Sequence, residues 1–144
     1  MFATVADVEQ RIEGGTDALA VLTGVTPYDA DVVTAAIEGA SGTIVAWVGR
    51  RYALPADTSA YPTLAAFLRE LSLDLVEISL WGRVREQMPQ RVKDKADAAR
   101  QLLAAIAAGE AALPGGDALE ASGGSAQVTG SERVFTRQKM DGMF

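Results

Sequence analysis

Two pairs of closely spaced carboxylates are the residues of this chain best suited to chemistry. Asp29 and Asp31 are separated by one residue, and Asp74 and Glu77 are separated by two. Carboxylates at such spacing can act together as general acid and general base. Asp is also a preferred helix N-cap, and charged residues usually cover the solvated face of a helix. We therefore interpret the first pair as a helix cap and the second as part of a solvated face.

The composition excludes several further kinds of active site. The chain contains no His and no Cys, which excludes imidazole catalysis, thiolate nucleophiles and Cys/His zinc sites. It also lacks a phosphate-binding loop, a glycine-rich dinucleotide fingerprint and an acidic calcium loop. We expect a protein that is not an enzyme, with no catalytic residue, no cofactor and no metal.

Charge is unevenly distributed along the 144 residues, although the net charge is only −6. Residues 1–40 carry seven acids and one base, whereas residues 83–100 carry six bases and three acids. An acidic region and a basic region can attract each other in two copies of one protein. The alternative is that both regions are solvated helix faces. The interleaved acids and the overall negative charge argue against a specific nucleic-acid partner.

Apolar residues recur at steps of three and four through most of the chain, which predicts an all-α protein. We expect a small helical bundle with two long antiparallel helices and shorter flanking helices. The first long helix is predicted at about residues 29–53 and ends in Arg50 and Arg51, and the second begins near Pro62. Gly39 and Gly42 inside the first helix indicate a close approach by another helix or a bend. No apolar run approaches the roughly 20 residues that span a bilayer, and no export signal is present, so we expect no membrane partner.

The composition changes after Leu113. We divide the chain into a helical bundle domain over 1–113, a flexible Gly/Ser/Ala linker over 114–131, and an extended C-terminal arm over 132–144. Short strands could form at 127–129 and 133–136. The arm is polar but contains apolar anchors at Val134, Phe135, Met140, Met143 and Phe144. Those anchors either fold back on their own bundle or dock on another subunit or partner.

Four segments carry a family resemblance: MFATVADV at 1–8, RRYALP at 50–55, LSLDL at 71–75 and VTGSERVFTR at 128–137. In their order and spacing they resemble the head–tail connector (adaptor) proteins found in the neck of Mu-like phages. The resemblance implies a structural virion protein, assembled in the host cytoplasm, that forms a ring, usually of twelve copies, beneath the portal. Its implied partners are the portal protein, neighbouring copies and the next neck or tail completion protein, with DNA passing through the ring. The resemblance also implies a portal-docking arm made of Arg133, Val134, Phe135, Thr136, Arg137, Lys139 and Phe144.

A ring requires two different faces of each subunit to meet. The segregated charges suggest which residues form those faces. We predict a subunit interface in which a basic group faces an acidic group on the next copy: Arg83, Arg85, Arg91 and Lys93 against Asp7, Glu9 and Glu13.

Two functions from other classes remain open. One is a small regulatory protein-binding module, such as an anti-repressor or a toxin partner, with a tail that folds on binding. The other is an enzyme or a DNA-packaging factor. A regulator would stay a monomer or dimer and ignore the portal, and a packaging factor would bind duplex DNA in a salt-sensitive manner.

Overall fold

The computed structural model describes residues 1–55, 57–84 and 87–115. Those residues form five α-helices and no strand, which confirms the all-α prediction. The helices are α1 (Val5–Arg11), α2 (Gly15–Thr23), α3 (Ala30–Val48), α4 (Pro62–Trp81) and α5 (Gln90–Ala108).

The first helix begins with a capping box, because Thr4 and Asp7 satisfy each other's backbone groups. The Asp7 N–H donates to the Thr4 hydroxyl at 3.2 Å, and the Thr4 N–H donates to the Asp7 carboxylate at 2.9 Å. At the start of α3 the Asp29 carboxylate accepts the N–H groups of Asp31 and Val32. The interpretation of Asp29 as a helix cap is therefore correct.

Helix α3 ends at Val48, five residues before the predicted end. The Tyr52 N–H donates to the Val48 carbonyl at 2.9 Å, and this turn inserts the Tyr52 ring into the core. Arg50 and Arg51 consequently lie beyond the last turn of the helix rather than within it.

Three of the helices are long, where two were predicted: α3, α4 and α5 contain 19, 20 and 19 residues. Asp31 near the start of α3 lines a groove with Arg83 just beyond the end of α4, so these two helices are antiparallel. Arg91 at the start of α5 bonds Glu77, and Gly115 after its end lies against Leu64. Helix α5 therefore runs antiparallel to α4 and in the same direction as α3.

The core is built from branched aliphatic side chains, and aromatic rings are few. The largest completely buried side chains include Leu19, Ile37, Ile44, Leu64, Leu68, Leu80, Leu103 and Ile106. Trp47 and Trp81 are half-buried and pack against this core. After α5, Leu113 returns to the core and its N–H donates to the Tyr52 hydroxyl at 3.3 Å.

The described chain stops two residues beyond Leu113, at Gly115. Most of the predicted linker, both possible strands and the whole C-terminal arm lie outside the described residues.

Candidate subunit interface

Charged side chains from α1, α4 and α5 meet on one flank of the bundle. Arg11, in the last turn of α1, donates to Glu70 at 2.6 Å and also to Asp74. Glu70 and Asp74 are four residues apart on α4, so they lie on the same side of that helix. One guanidinium thus joins α1 to two consecutive turns of α4.

Arg91 forms the second connection on this flank. It donates to Glu77 of α4 at 3.3 Å and to Glu13, after α1, at 3.2 Å. Glu77 is only 2% exposed, so the interpretation of Asp74 and Glu77 as a solvated face is wrong for Glu77. A buried carboxylate needs a charged or hydrogen-bonded partner, and Arg91 supplies one.

Three buried polar atoms of the described chain have no hydrogen-bond partner: Ser72 Oγ, Glu77 Oε2 and Trp81 Nε1. Because Glu77 Oε2 has no partner, Arg91 satisfies only one oxygen of the Glu77 carboxylate. The charge of Glu77 is therefore held in the interior by a single bond, whose loss would leave both oxygens unpaired.

Burial changes the titration of this flank. Desolvation raises the pKa of Asp74 above its ordinary value, and the charges of Arg11 and Lys95 only partly offset that effect. Burial opposes the charged form of Arg11, yet its hydrogen bond to Glu70 and the charge of Asp74 raise the pKa of the guanidinium. Exposed Asp57 shows the opposite behaviour, because hydrogen bonding from Ser59 lowers the pKa of its carboxyl.

The predicted interface residues are not brought together as one surface. Arg91 bonds Glu13 within the protomer, and Asp7 caps α1 and lies 3.9 Å from Arg69. Glu9 is half-buried, whereas Arg83 and Lys93 are exposed. Arg85 lies outside the described residues. Part of the predicted attraction between copies is therefore used inside each copy, through the bond of Arg91 to Glu13.

The sequence analysis missed Arg11, Arg69 and Glu70 as members of this charged flank. Their partners come from helices that are distant in the chain, so spacing alone could not reveal the contacts. One signal was available: Glu70 and Asp74 have the spacing that directs two carboxylates to one side of a helix.

The described residues form grooves that are open to solvent. Two of them, about 430 and 450 Å³, lie along α3 and α4 and share Ala35, Ala36 and Ser79. Within the described residues, no group of three or more carboxylates could hold a metal ion.

One helix, α3, is long and apolar enough by length and composition alone to cross a membrane, with a mean hydropathy of 1.2. The sequence analysis had expected no such run. A core helix of a water-soluble bundle passes the same test, and the buried side of α3 packs against the rest of the core.

These features define a small α-helical bundle whose buried charges join its own helices to one another. A model of the family described as bacteriophage Mu Gp36 matches residues 2–130, and the chain belongs to that family. It is therefore a Mu-like phage protein, and the family indicates a role in phage structure or assembly. Comparison with curated proteins finds no match.

Proposed function

We propose that the protein is a head–tail connector (adaptor) of the virion neck, a non-enzymatic component that forms a ring under the portal. The observation that carries the proposal is the match to the Mu Gp36 family across the bundle and most of the predicted linker. The segments that resemble head–tail connectors narrow the role within that family. The proposed partners are the portal protein, neighbouring copies of the chain and the next neck or tail completion protein.

The organisation of the bundle supports a structural role. Its three long helices enclose an aliphatic core, and its buried carboxylate is paired with Arg91 from another helix. Such a bundle can hold its shape while peripheral segments contact partners. An overall charge of −6 also suits a ring through which DNA passes, because like charges prevent DNA from adhering.

The arm is the segment proposed to contact the portal. It holds five apolar residues in a short polar stretch, and a Gly-rich and Ser-rich segment separates it from the bundle. Each apolar anchor gains free energy when a partner removes it from water, by roughly 1.5–3 kcal/mol for a large side chain. A ring that presents many arms together would strengthen the attachment through effective concentration.

Deletion of residues 131–144 tests this assignment. We expect the truncated chain to keep its helical circular dichroism and its unfolding free energy but to lose co-sedimentation with purified portal rings. A matched pair of full-length variants refines the test: Phe135→Ser with Phe144→Ser should weaken attachment, whereas Gln138→Ser should not. Normal attachment of the truncated chain would exclude a docking arm.

Two further measurements distinguish the alternatives. A chain that stays monomeric or dimeric and ignores the portal would indicate a regulatory module. Salt-sensitive binding to duplex DNA, measured by fluorescence anisotropy, would instead indicate a packaging factor.

A further inference from the structure

The outer side of α3 is a surface of small and apolar residues with two acids, and the described residues leave it uncovered. The helix has a mean hydropathy of 1.2, yet only 33% of that apolar window is buried. Val45 on this side is 48% exposed. The exposed residues that form this outer face of α3 are Asp31, Ala35, Glu38, Gly39, Gly42, Val45 and Ala46.

Two glycines lie on the outer face. A Cβ added at Gly39 or Gly42 would meet no atom of the described residues within 4 Å, so no close approach that requires glycine is found there among the described residues. Gly inside a helix is less favourable than Ala by up to about 1 kcal/mol. A second surface that comes close to the backbone of α3 would offset that cost.

The charges of the outer face indicate the kind of surface that covers it. Helix α3 contains the acids Asp31 and Glu38 and no base. Neither carboxylate forms an ion pair within the described chain, although Arg83 lines the same groove as Asp31. A partner surface should therefore supply two cations beside small or apolar residues.

The same chain carries two cations on one side of α5, which we call the basic flank: Lys93, Arg100 and Ala104, with exposed Asp97 between the cations. Lys93 is exposed and forms no ion pair with any described residue. Arg100 is 55% exposed at its side chain and has only a 3.5 Å contact with Asp97. Lys93 and Arg100 can therefore pair with acids of another copy, whereas Arg91 already pairs with Glu77 and Glu13 of its own protomer.

The spacing of the two surfaces matches. Asp31 and Glu38 are seven residues apart, as are Lys93 and Arg100, and seven residues span about 10.5 Å of a helix. Arg100 lines a groove with Gly39 and Thr43, so it lies level with the middle of α3. Because α3 and α5 run in the same direction, copies arranged around an axis along the bundle would bring both acid–base pairs together.

We propose that the outer face of α3 docks against the basic flank of α5 on a second copy of this chain. The contact is heterologous, since each copy uses one surface for each neighbour, and such contacts can close into a ring. This inference rests on the proposed self-assembly and names the surfaces that perform it. It retains Lys93 from the interface predicted from charge segregation and adds Asp31, Glu38 and Arg100.

Site-directed cross-linking tests the contact directly, because the chain has no native Cys. Full-length Glu38→Cys and Arg100→Cys chains are prepared separately, mixed in equal amounts and oxidised at low salt. We expect a cross-linked dimer in the mixture and little in either chain alone. The matched control replaces Glu38→Cys with Asp17→Cys on α2, which should give no dimer with Arg100→Cys. A dimer of Glu38→Cys alone would overturn the proposal in favour of a two-fold contact.

Charge reversal provides the second readout. Asp31→Lys with Glu38→Lys should weaken self-association about tenfold at low salt, and Lys93→Glu with Arg100→Glu should do the same. A mixture of the two reversed chains should recover association, measured by sedimentation velocity. Unchanged association in both reversed chains, or a wild-type chain that stays monomeric at high concentration, would overturn the proposal.

Portal binding separates this inference from the proposed function. If the chain attaches to the portal but does not cross-link, the connector role stands and this interface is excluded. If the chain self-associates through α3 and α5 but does not bind the portal, the interface stands and the connector role is excluded.

Discussion

Glu77 is the residue on which the charged flank depends most. Its carboxylate is 2% exposed, with one oxygen bonded to Arg91 and the other without a partner. Removing one member of a buried pair costs more than the pair contributes, because a desolvated charge is left behind. The neighbouring pair of Arg11 with Glu70 is more exposed and should contribute less.

Replacing Arg91→Met should lower the unfolding free energy by about 2 kcal/mol, since the Glu77 carboxylate would stay buried without its cation. Arg91→Met combined with Glu77→Gln should recover part of that loss. Lys93→Met, two residues away and exposed, should change stability by less than about 0.5 kcal/mol. Urea unfolding of the three variants measures these differences, and equal losses at positions 91 and 93 would contradict the pairing.

The pH dependence of stability should reveal the burial of Asp74. Its pKa is raised above the ordinary 3.8 in the folded protein, so the folded state binds that proton more tightly than the unfolded chain. The contribution of protonated Asp74 to the free energy of unfolding is complete below pH 3.8 and is lost as the pH rises through the folded-state pKa. The stability difference between wild type and Asp74→Asn should therefore decrease as the pH rises from about 3 to 7.

Asp57→Asn provides the control of opposite sign. The pKa of Asp57 is lowered below 3.8, so its contribution is present above that value and is lost as the pH falls through the folded-state pKa. Urea unfolding at several pH values measures the stability of each variant relative to wild type. If that difference changed with pH in the same direction for Asp74→Asn and Asp57→Asn, the assigned directions of the two pKa shifts would be wrong.

For single residues, the sequence predicted interactions between neighbours in the chain well and interactions between residues far apart in the chain poorly. The cap by Asp29 at the start of α3 follows from spacing, because cap and helix are adjacent in the chain. The bond between Arg91 and Glu13 spans 78 positions, and only the packed bundle brings those residues together. Burial of Glu77 was also unpredictable, because a charged residue on a helix usually faces water.

Among the elements, the ends of the helices show how backbone and packing compete. Glycine ends α5, because Gly109 adopts a left-handed conformation with φ 83°. Helix α3 ends earlier than predicted, with Gly49 as its C-cap, although Tyr52 beyond that end is still buried. Helical periodicity does not reveal the early end, because the apolar pattern continues past Val48.

Gly109→Ala and Gly39→Ala should affect stability in opposite directions. At Gly109 a side chain would be strained by the positive φ and would lie 2.7 Å from Arg51, so we expect a loss of about 1–2 kcal/mol. At Gly39 a Cβ meets open space, so Ala should raise the stability of the isolated chain by up to about 1 kcal/mol. Thermal unfolding of both variants measures the contrast. A stabilising effect at position 109 would contradict the assigned cap.

For the molecule as a whole, the bundle is completed only after its last helix. Leu113 is 2% exposed, and its N–H bonds the hydroxyl of Tyr52. The segment after Gly109 therefore belongs to the bundle, although composition alone gives no reason to place a core residue there. The sequence analysis placed the boundary at 113 because of the Gly-rich stretch that follows.

Two truncations test where the folded unit ends. A chain that ends at Gly115 should keep the unfolding free energy of the full chain, because the described core is intact. A chain that ends at Gly109 should lose about 2 kcal/mol or more, since it lacks the Leu113 side chain and its hydrogen bond. Circular dichroism during urea unfolding compares them, and equal stabilities would show that Leu113 contributes little.

The fold class was predictable because periodicity of apolar residues reports the helices directly. The association surface was not, because charge segregation along the chain does not show which charges are neutralised within one protomer. Only the packing of α1, α4 and α5 shows that Arg91 is paired internally with two acids, whereas Lys93 forms no ion pair with a described residue and Arg100 contacts only Asp97.

The single bond that holds the Glu77 carboxylate has an evolutionary consequence. A homologue that lacks the guanidinium at position 91 would have an unpaired carboxylate buried at position 77. Natural selection should therefore remove that carboxylate in the same lineages. Positions 77 and 91 should therefore covary among homologues, whereas the exposed position 93 should vary independently of position 77.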